Sequence, residues 1–342
     1  MRILLVGAGA VGQVFGHHLQ RGGAEVAFLV KPKHAEATGG GFTLYPLNRR
    51  NPRRAPVRFE GFEVLTTTEE VAARSWDAVL LCTASNALRA GDWVREVAEA
   101  TGDATIVGLQ PGLEDPPLVR EAAGIGRVVW GLIEFIAYAG PLQGEELPEP
   151  GTVYWLAPVF PFPFSGPAQR IAPIVAALRA GGLRARTVPD VARDIALSSP
   201  LLLLHMAALE CAGWRFDAIR RDTALLELTA AAVREAISIA AHEYGTEPPG
   251  WLRWLRPWQV RLVSRLAPVL LPLPIETYLQ FHFTKVRPQT LEQLGRWMAL
   301  AEGSGQSGEA MAALAARLRD EDAGNILLPD PTQDAHVAPR SA

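Results

Sequence analysis

Short, unbroken apolar runs alternate with helix-length amphipathic stretches along the first half of the chain. Residues 3–6 (ILLV) have no polar interruption, the pattern of a strand buried on both faces. A glycine-rich hexamer follows, then a helical stretch over 11–21 that Gly22 and Gly23 stop. Residues 26–30 predict a second strand, and 79–82, 105–109, 128–133 and 153–157 predict others. Strands alternating with helices predict a doubly wound, Rossmann-type α/β domain. Residues 46–58 (PLNRRNPRRAPVR) predict an exposed loop, and 158–167 (PVFPFPFSGP) a proline-rich break. From about residue 189 the periodicity turns helical, with helices predicted over 201–212, 225–242, 251–267 and 291–301. The expected organisation is a Rossmann domain over 1–187, an all-α domain over 188–328, and a tail over 329–342 rich in Pro, Asp and Ala.

Composition narrows the class. A length of 342 residues makes two domains the default, and 49% hydrophobic content supplies a sizeable core. A net charge of −3 carries no basic excess for nucleic acid. The only cysteines, Cys82 and Cys211, lie far apart with no metal-type spacing, so a reducing, cytoplasmic setting is expected. The apolar run at the N-terminus is too short for a secretory signal. No stretch of about 18 apolar residues lacks charge or proline, so no integral membrane segment is expected.

Gly7-Ala8-Gly9-Ala10-Val11-Gly12 fits G-x-G-x-x-G in the context a dinucleotide fingerprint requires, after a buried strand and at the opening of a helix. Gly7 would permit the tight turn, Gly9 the close approach of a diphosphate, and Gly12 close helix–strand packing. Phosphates would sit on free N–H groups at the helix start. After the second strand come Lys31 and Lys33 and no acid. Ammonium groups there suit a 2′-phosphate, so NADP(H) is expected rather than NAD.

With this motif at the N-terminus and helices at the C-terminus, the chain resembles the ketopantoate reductase family over roughly residues 1–320. The resemblance implies an NADPH-dependent reductase of a 2-oxo acid, with substrate held between a Rossmann and a helical domain. It places Thr83 and Ala84, in DAVLLCTAS (77–85), and Pro111, in LQPGLED (109–115), on the cofactor. The departures are as informative. The family's catalytic lysine and its two following asparagines fall at Leu197, Leu201 and His205. Lysine is absent between Lys33 and Lys285, the lysine after the fourth strand becomes Ser85, and the late carboxylate falls near Arg287.

Reduction of a ketone leaves an alkoxide that needs a proton. The candidates are His205, Tyr278, His282 and Lys285. His205 sits in a very apolar helix, as a donor to substrate or as a core histidine bonded to backbone. Glu210, five residues on, lies about 140° around that helix from it. Tyr278 and His282 are spaced i, i+4, and Lys285 extends their face, which is either a proton-delivering face or an ordinary amphipathic one. Lys285 and Arg287 also suit anion recognition, Arg287 above all for a substrate carboxylate. Glu134, at the end of a predicted strand, would have its pKa raised in apolar surroundings. Trp251, Trp254 and Trp258 recur at i, i+3, i+7 among arginines, which fits core, a homodimer interface, a lid over an apolar substrate or a membrane-surface helix. Two functions follow. One is an NADPH-dependent reductase of a 2-oxo acid or a larger apolar ketone. The other is an NADP(H)-binding protein with non-redox activity or a cofactor-sensing role.

Overall fold

The computed structural model describes residues 1–48, 55–112, 114–158, 160–245, 247–248 and 250–325. The expected tail and part of the 46–58 loop lie outside these. Two compact units result, Met1–Pro200 with Ala267–Gln289, and Leu201–Leu266 with the described residues from Thr290 onward. The expected division at 187/188 falls just before a long helix; the units divide within that helix, at Pro200.

The first unit opens with β1 (Arg2–Val6), α1 (Ala10–Arg21), β2 (Glu25–Leu29), α2 (Ala35–Gly39), β3 (Phe42–Pro46), β4 (Val57–Phe59) and β5 (Glu63–Leu65). It continues through α3 (Thr68–Ala72), β6 (Ala78–Leu81), α4 (Trp93–Ala100), β7 (Thr105–Gly108), α5 (Asp115–Ala123) and β8 (Val128–Gly131). Then come β9 (Phe135–Gly140), β10 (Gly151–Leu156), β11 (Phe162–Ser165), α6 (Ala168–Ala180) and β12 (Ala185–Thr187). The main sheet has the order β12-β11-β8-β7-β6-β1-β2-β5, parallel throughout except where β11 meets β8. From β5 to β8 this is the doubly wound order, which reverses direction between β1 and β6. Ligands of such sheets gather at that reversal, outside the carboxyl ends of the strands. Ile3, Leu4 and Leu5 are fully buried, with α1 on one side of the sheet and α4 and α5 on the other, as an unbroken apolar strand demands.

Two stretches expected to be irregular contain strands. The 46–58 stretch is not all loop: its first residue ends β3 and Val57–Phe59 is β4. Both join β9 and β10 in a second sheet of order β4-β3-β10-β9. The proline-rich break at 158–167 contains β11. Phe162 and Phe164 are core residues there, and the Pro163 carbonyl accepts from the Leu132 N–H at 3.2 Å. Pro163 lacks only a donor and stands at the end of the β11–β8 pairing, so the ladder keeps the bond its carbonyl accepts and gives up only the reciprocal one.

The helices are α7 (Val191–Cys211), α8 (Phe216–Arg221), α9 (Thr223–Glu243), α10 (Gly250–Arg253), α11 (Pro257–Leu270), α12 (Ile275–Lys285), α13 (Arg287–Ser304) and α14 (Glu309–Asn325). Helix α7 is long and apolar enough to cross a membrane, but most of its apolar stretch is buried inside the protein. The single helix expected over 251–267 is two. Pro257 begins α11 because its ring and missing N–H cannot continue a helix from Arg253, and Gln259 accepts from the Arg256 N–H at 2.7 Å as the new start. The three tryptophans therefore share no helix, and each is more than half exposed, so they are not core.

Candidate active site

The glycine turn is built by the strands on either side of it. Gly7 donates to the Leu29 carbonyl at 3.0 Å, and Cys82 donates to the Val6 carbonyl at 2.9 Å, so the ends of β2 and β6 fix the exit of β1. Gly7 has φ +102°, a conformation that L side chains rarely adopt. A Cβ on Gly12 would stand 2.3 Å from the Gly7 carbonyl oxygen, whereas one on Gly9 would meet nothing within 4 Å. Helix α1 has no side-chain cap and no acid in its first turn, which leaves the amides around Ala10, Val11 and Gly12 as donors. Gln13 secures the loop by donating to the Ala8 carbonyl at 2.8 Å.

These residues edge a cavity of about 1080 Å³. Its wall includes Gly7, Ala8 and Gly9, then Lys31 and Lys33 beyond β2, Thr83 beyond β6, and Lys285 at the end of α12. The open space over Gly9, the uncapped amides and the two lysines are a donor set suited to a dinucleotide carrying an additional phosphate. Sequence reasoning missed the opposite walls. Residues 66–69 (TTTE) follow β5, held by a capping box in which Glu70 donates its N–H to Thr67 Oγ1 at 3.2 Å and its carboxylate takes the Thr67 N–H at 3.2 Å. The signal was legible, since T-x-x-E is that box. Trp93 forms another part of the wall, oriented by its Nε1 donating to the Ala87 carbonyl at 2.7 Å.

Two buried polar side chains join the strand ends behind this cavity. Gln110 donates through Nε2 to the carbonyls of Leu81 (2.8 Å) and Thr83 (2.9 Å) and accepts from the Leu109 N–H. Asp115, fully buried, accepts from Ser85 Oγ at 2.6 Å and from the Gly112 N–H at 2.9 Å, and pairs with Arg89 at 2.9 Å. Arg89 thus puts a cation one turn beyond Ser85. Pro111, between the two, is exposed and is not in the cavity wall, and neither is Ala84.

On α12, Tyr278 packs on Tyr138 of β9 with ring centroids 5.3 Å apart, and His282 stacks on Tyr278 at 5.5 Å and 21°. Burial raises the Tyr278 hydroxyl well above its ordinary range. Burial, helped by Lys285, lowers the His282 imidazole, which is therefore neutral at pH 7. The face runs from that buried stack to Lys285 in the cavity. Glu134, half-buried after β8, has its carboxyl raised by burial, offset in part by Arg186, and is not in the cavity wall. Arg287 opens α13 two residues beyond Lys285.

His205 lies in the interior of the second unit, in contact with Ser264 Oγ at 3.4 Å, while Ser264 itself donates to the Val260 carbonyl at 2.9 Å. These are the surroundings of a core histidine. Burial lowers its pKa to about 4 from 6.5. Below pH 6.5 the unfolded chain takes up a proton there that the folded chain refuses, so stability falls with pH down to about 4. Between pH 7.5 and 4.5 this residue alone is expected to cost on the order of 2–3 kcal/mol. Thermal melts of the His205→Gln variant should show a shallower acid decline than the parent. Equal slopes would mean that His205 titrates normally.

Residues 3–156 match the sequence model of the family described as Ketopantoate reductase PanE/ApbA. That segment belongs to the family. The match lies within the α/β part of the chain, and the family it names is one of reductases. No curated protein matches the sequence. Among solved structures, the PanE/ApbA family ketopantoate reductase from Ralstonia eutropha JMP134 superposes with TM-score 0.69 at 18% identity, over 95% of this chain and 99% of that one. The 2-dehydropantoate 2-reductase from Geobacter metallireducens GS-15 gives 0.68 at 19%, over 94% and 100%. A D-mandelate dehydrogenase, solved with NADH and anilino(oxo)acetate, gives 0.69 at 14%, over 95% and 99%. At these identities the likeness is one of fold: the ketopantoate reductase arrangement of a Rossmann-type sheet followed by an all-helical region.

Proposed function

We propose that the chain is an NADPH-dependent reductase that converts the carbonyl of a 2-oxo acid, or of a larger apolar ketone, to an alcohol. The observation that carries this reading is one cavity edged by the uncapped glycine turn, by Lys31 and Lys33, and by Lys285. When bound, NADPH would supply the hydride. The amides that open α1 hold a diphosphate, and Lys31 and Lys33 hold the 2′-phosphate. Lys285 supplies the proton that the carbonyl oxygen needs, in place of the lysine that the family carries where this chain has Leu197. Arg89 beside Asp115 and Arg287 beyond α12, both outside the cavity wall, are guanidinium groups suited to a carboxylate, and a D-mandelate dehydrogenase of the same fold, solved with NADH and anilino(oxo)acetate, supports an aryl-substituted oxo acid as one substrate to test.

The test is oxidation of NADPH by the purified protein with a panel of short and aryl 2-oxo acids and apolar ketones. Turnover with any of them supports the reading. NADPH binding without turnover on the whole panel would favour a non-redox or cofactor-sensing role instead. The coenzyme preference has its own check. The Lys31→Glu, Lys33→Glu double variant is expected to lower the NADPH-over-NADH ratio of binding constants roughly 100-fold, since two attractions become two repulsions. An unchanged ratio would remove both lysines from the 2′-phosphate.

A further inference from the structure

The longest exposed apolar face on the described protein lies on α10, α11 and the turn joining them. Trp251, Trp254 and Trp258 are 60–64% exposed, and on α11 Leu262, Val263 and Leu266 are exposed by 41–53%. At about 100° per residue, the α11 members of this set span roughly 140° of the helix, and they stand on the side opposite buried Val260 and Ser264. Arg261 and Arg265 flank that face, with Arg253 and Arg256 at its start. Arg253 pairs with Glu247 at 3.6 Å; Arg256, Arg261 and Arg265 have no carboxylate partner among the described residues. No acidic residue occurs from Trp251 to Pro274.

We propose that this face docks on an anionic lipid surface, with the indoles at the headgroup level and the arginines on lipid phosphates. Three features select this occupant. Side chains so exposed form a ridge, whereas peptide recognition uses a groove or a free sheet edge. The stretch is strongly basic, so a second copy laid against it would oppose arginine to arginine, while an anionic bilayer complements it. With α12, helix α11 is apolar enough to pass as a membrane span, but α11 has 14 residues and the pair bends by 109°. A helix of that length is too short to cross the hydrocarbon core, and one with an apolar face edged by arginines suits the plane of the interface.

The experiment is co-sedimentation of the full chain with vesicles of phosphatidylcholine alone and of phosphatidylcholine with 30% phosphatidylglycerol, at low and physiological salt, with light scattering of the free protein. Binding to the anionic vesicles only, weakened by salt, is expected. An Arg261→Glu, Arg265→Glu variant should bind at least about 25-fold more weakly, about fivefold for each charge lost. A Trp254→Ser, Trp258→Ser variant should lose binding while its NADPH affinity and melting temperature hold. Binding that ignores phosphatidylglycerol, or no binding, would overturn the proposal. No vesicle binding together with a dimer that the tryptophan variant dissociates would assign the face to a second copy of the chain.

Discussion

Alanine at position 12 is expected to cost the protein its coenzyme and part of its stability at once, while alanine at position 9 should cost it the coenzyme alone. A Cβ on Gly12 would stand 2.3 Å from the Gly7 carbonyl oxygen and 3.4 Å from Cys82 Cβ, both parts of the β1–α1 turn and its neighbouring strand end. Backbone cannot swing away as a flexible side chain does, so α1 must retreat from the sheet. Overpacking of this kind costs about 1–3 kcal/mol, a fall of roughly 1–4 °C in Tm for a chain of this size. The retreat also carries off the amides that would hold a diphosphate, and NADPH affinity should fall more than about 100-fold. Gly9 has φ −69° and ψ 179°, open to any residue, and its Cβ would meet no protein atom. Gly9→Ala should therefore melt within about 1 °C of the parent, yet bind NADPH some 10- to 100-fold more weakly, because the methyl fills the space the diphosphate must enter. Calorimetric titration beside thermal melts separates the two effects. Parent-like affinity in Gly9→Ala would move the phosphates elsewhere in the cavity.

That the glycine turn was legible and most of the cavity was not has a physical basis. The hexamer 7–12 is local: strand, turn and helix start lie within twenty residues, and each glycine has a backbone reason of its own. The alternation of strands and helices likewise gave the Rossmann sheet and the helical region after it. The second sheet was hidden because its pairings are not local. β3 pairs with β10, more than one hundred residues away, and β3 itself ends at the edge of a Pro/Arg-rich run. β11 was hidden by prolines, whose missing donor matters only where a ladder needs it. Asp115 and Gln110 were visible as letters in LQPGLED, but their work is to tie β6 to β7, and that closeness exists only once the sheet has formed. His205 shows the converse: a register borrowed from a resemblance pointed to a substrate ligand, and the fold surrounds it with core.

Lys285→Met is expected to lower kcat for carbonyl reduction by about 10²–10⁴-fold, the usual contribution of a positioned acid, with the dissociation constant of NADPH changed by no more than a few-fold. Position makes Lys285 the residue to test. It is the one lysine beyond Lys33, it stands in the cavity wall, and α12 carries it there on a stack in which His282 and Tyr278 lock each other in place. Neutral His282 beside it adds no competing positive charge at pH 7. The alternatives make different marks. A lysine that gripped coenzyme phosphate would raise the NADPH dissociation constant and leave kcat alone. A lysine that gripped a substrate carboxylate would raise KM and be rescued by Lys285→Arg, since a guanidinium pairs with carboxylate as well or better. A proton donor is not rescued by arginine, which does not give up its proton at working pH. Parent-like kcat in Lys285→Met would remove the residue from the chemistry and leave the hydride-accepting oxygen to another donor.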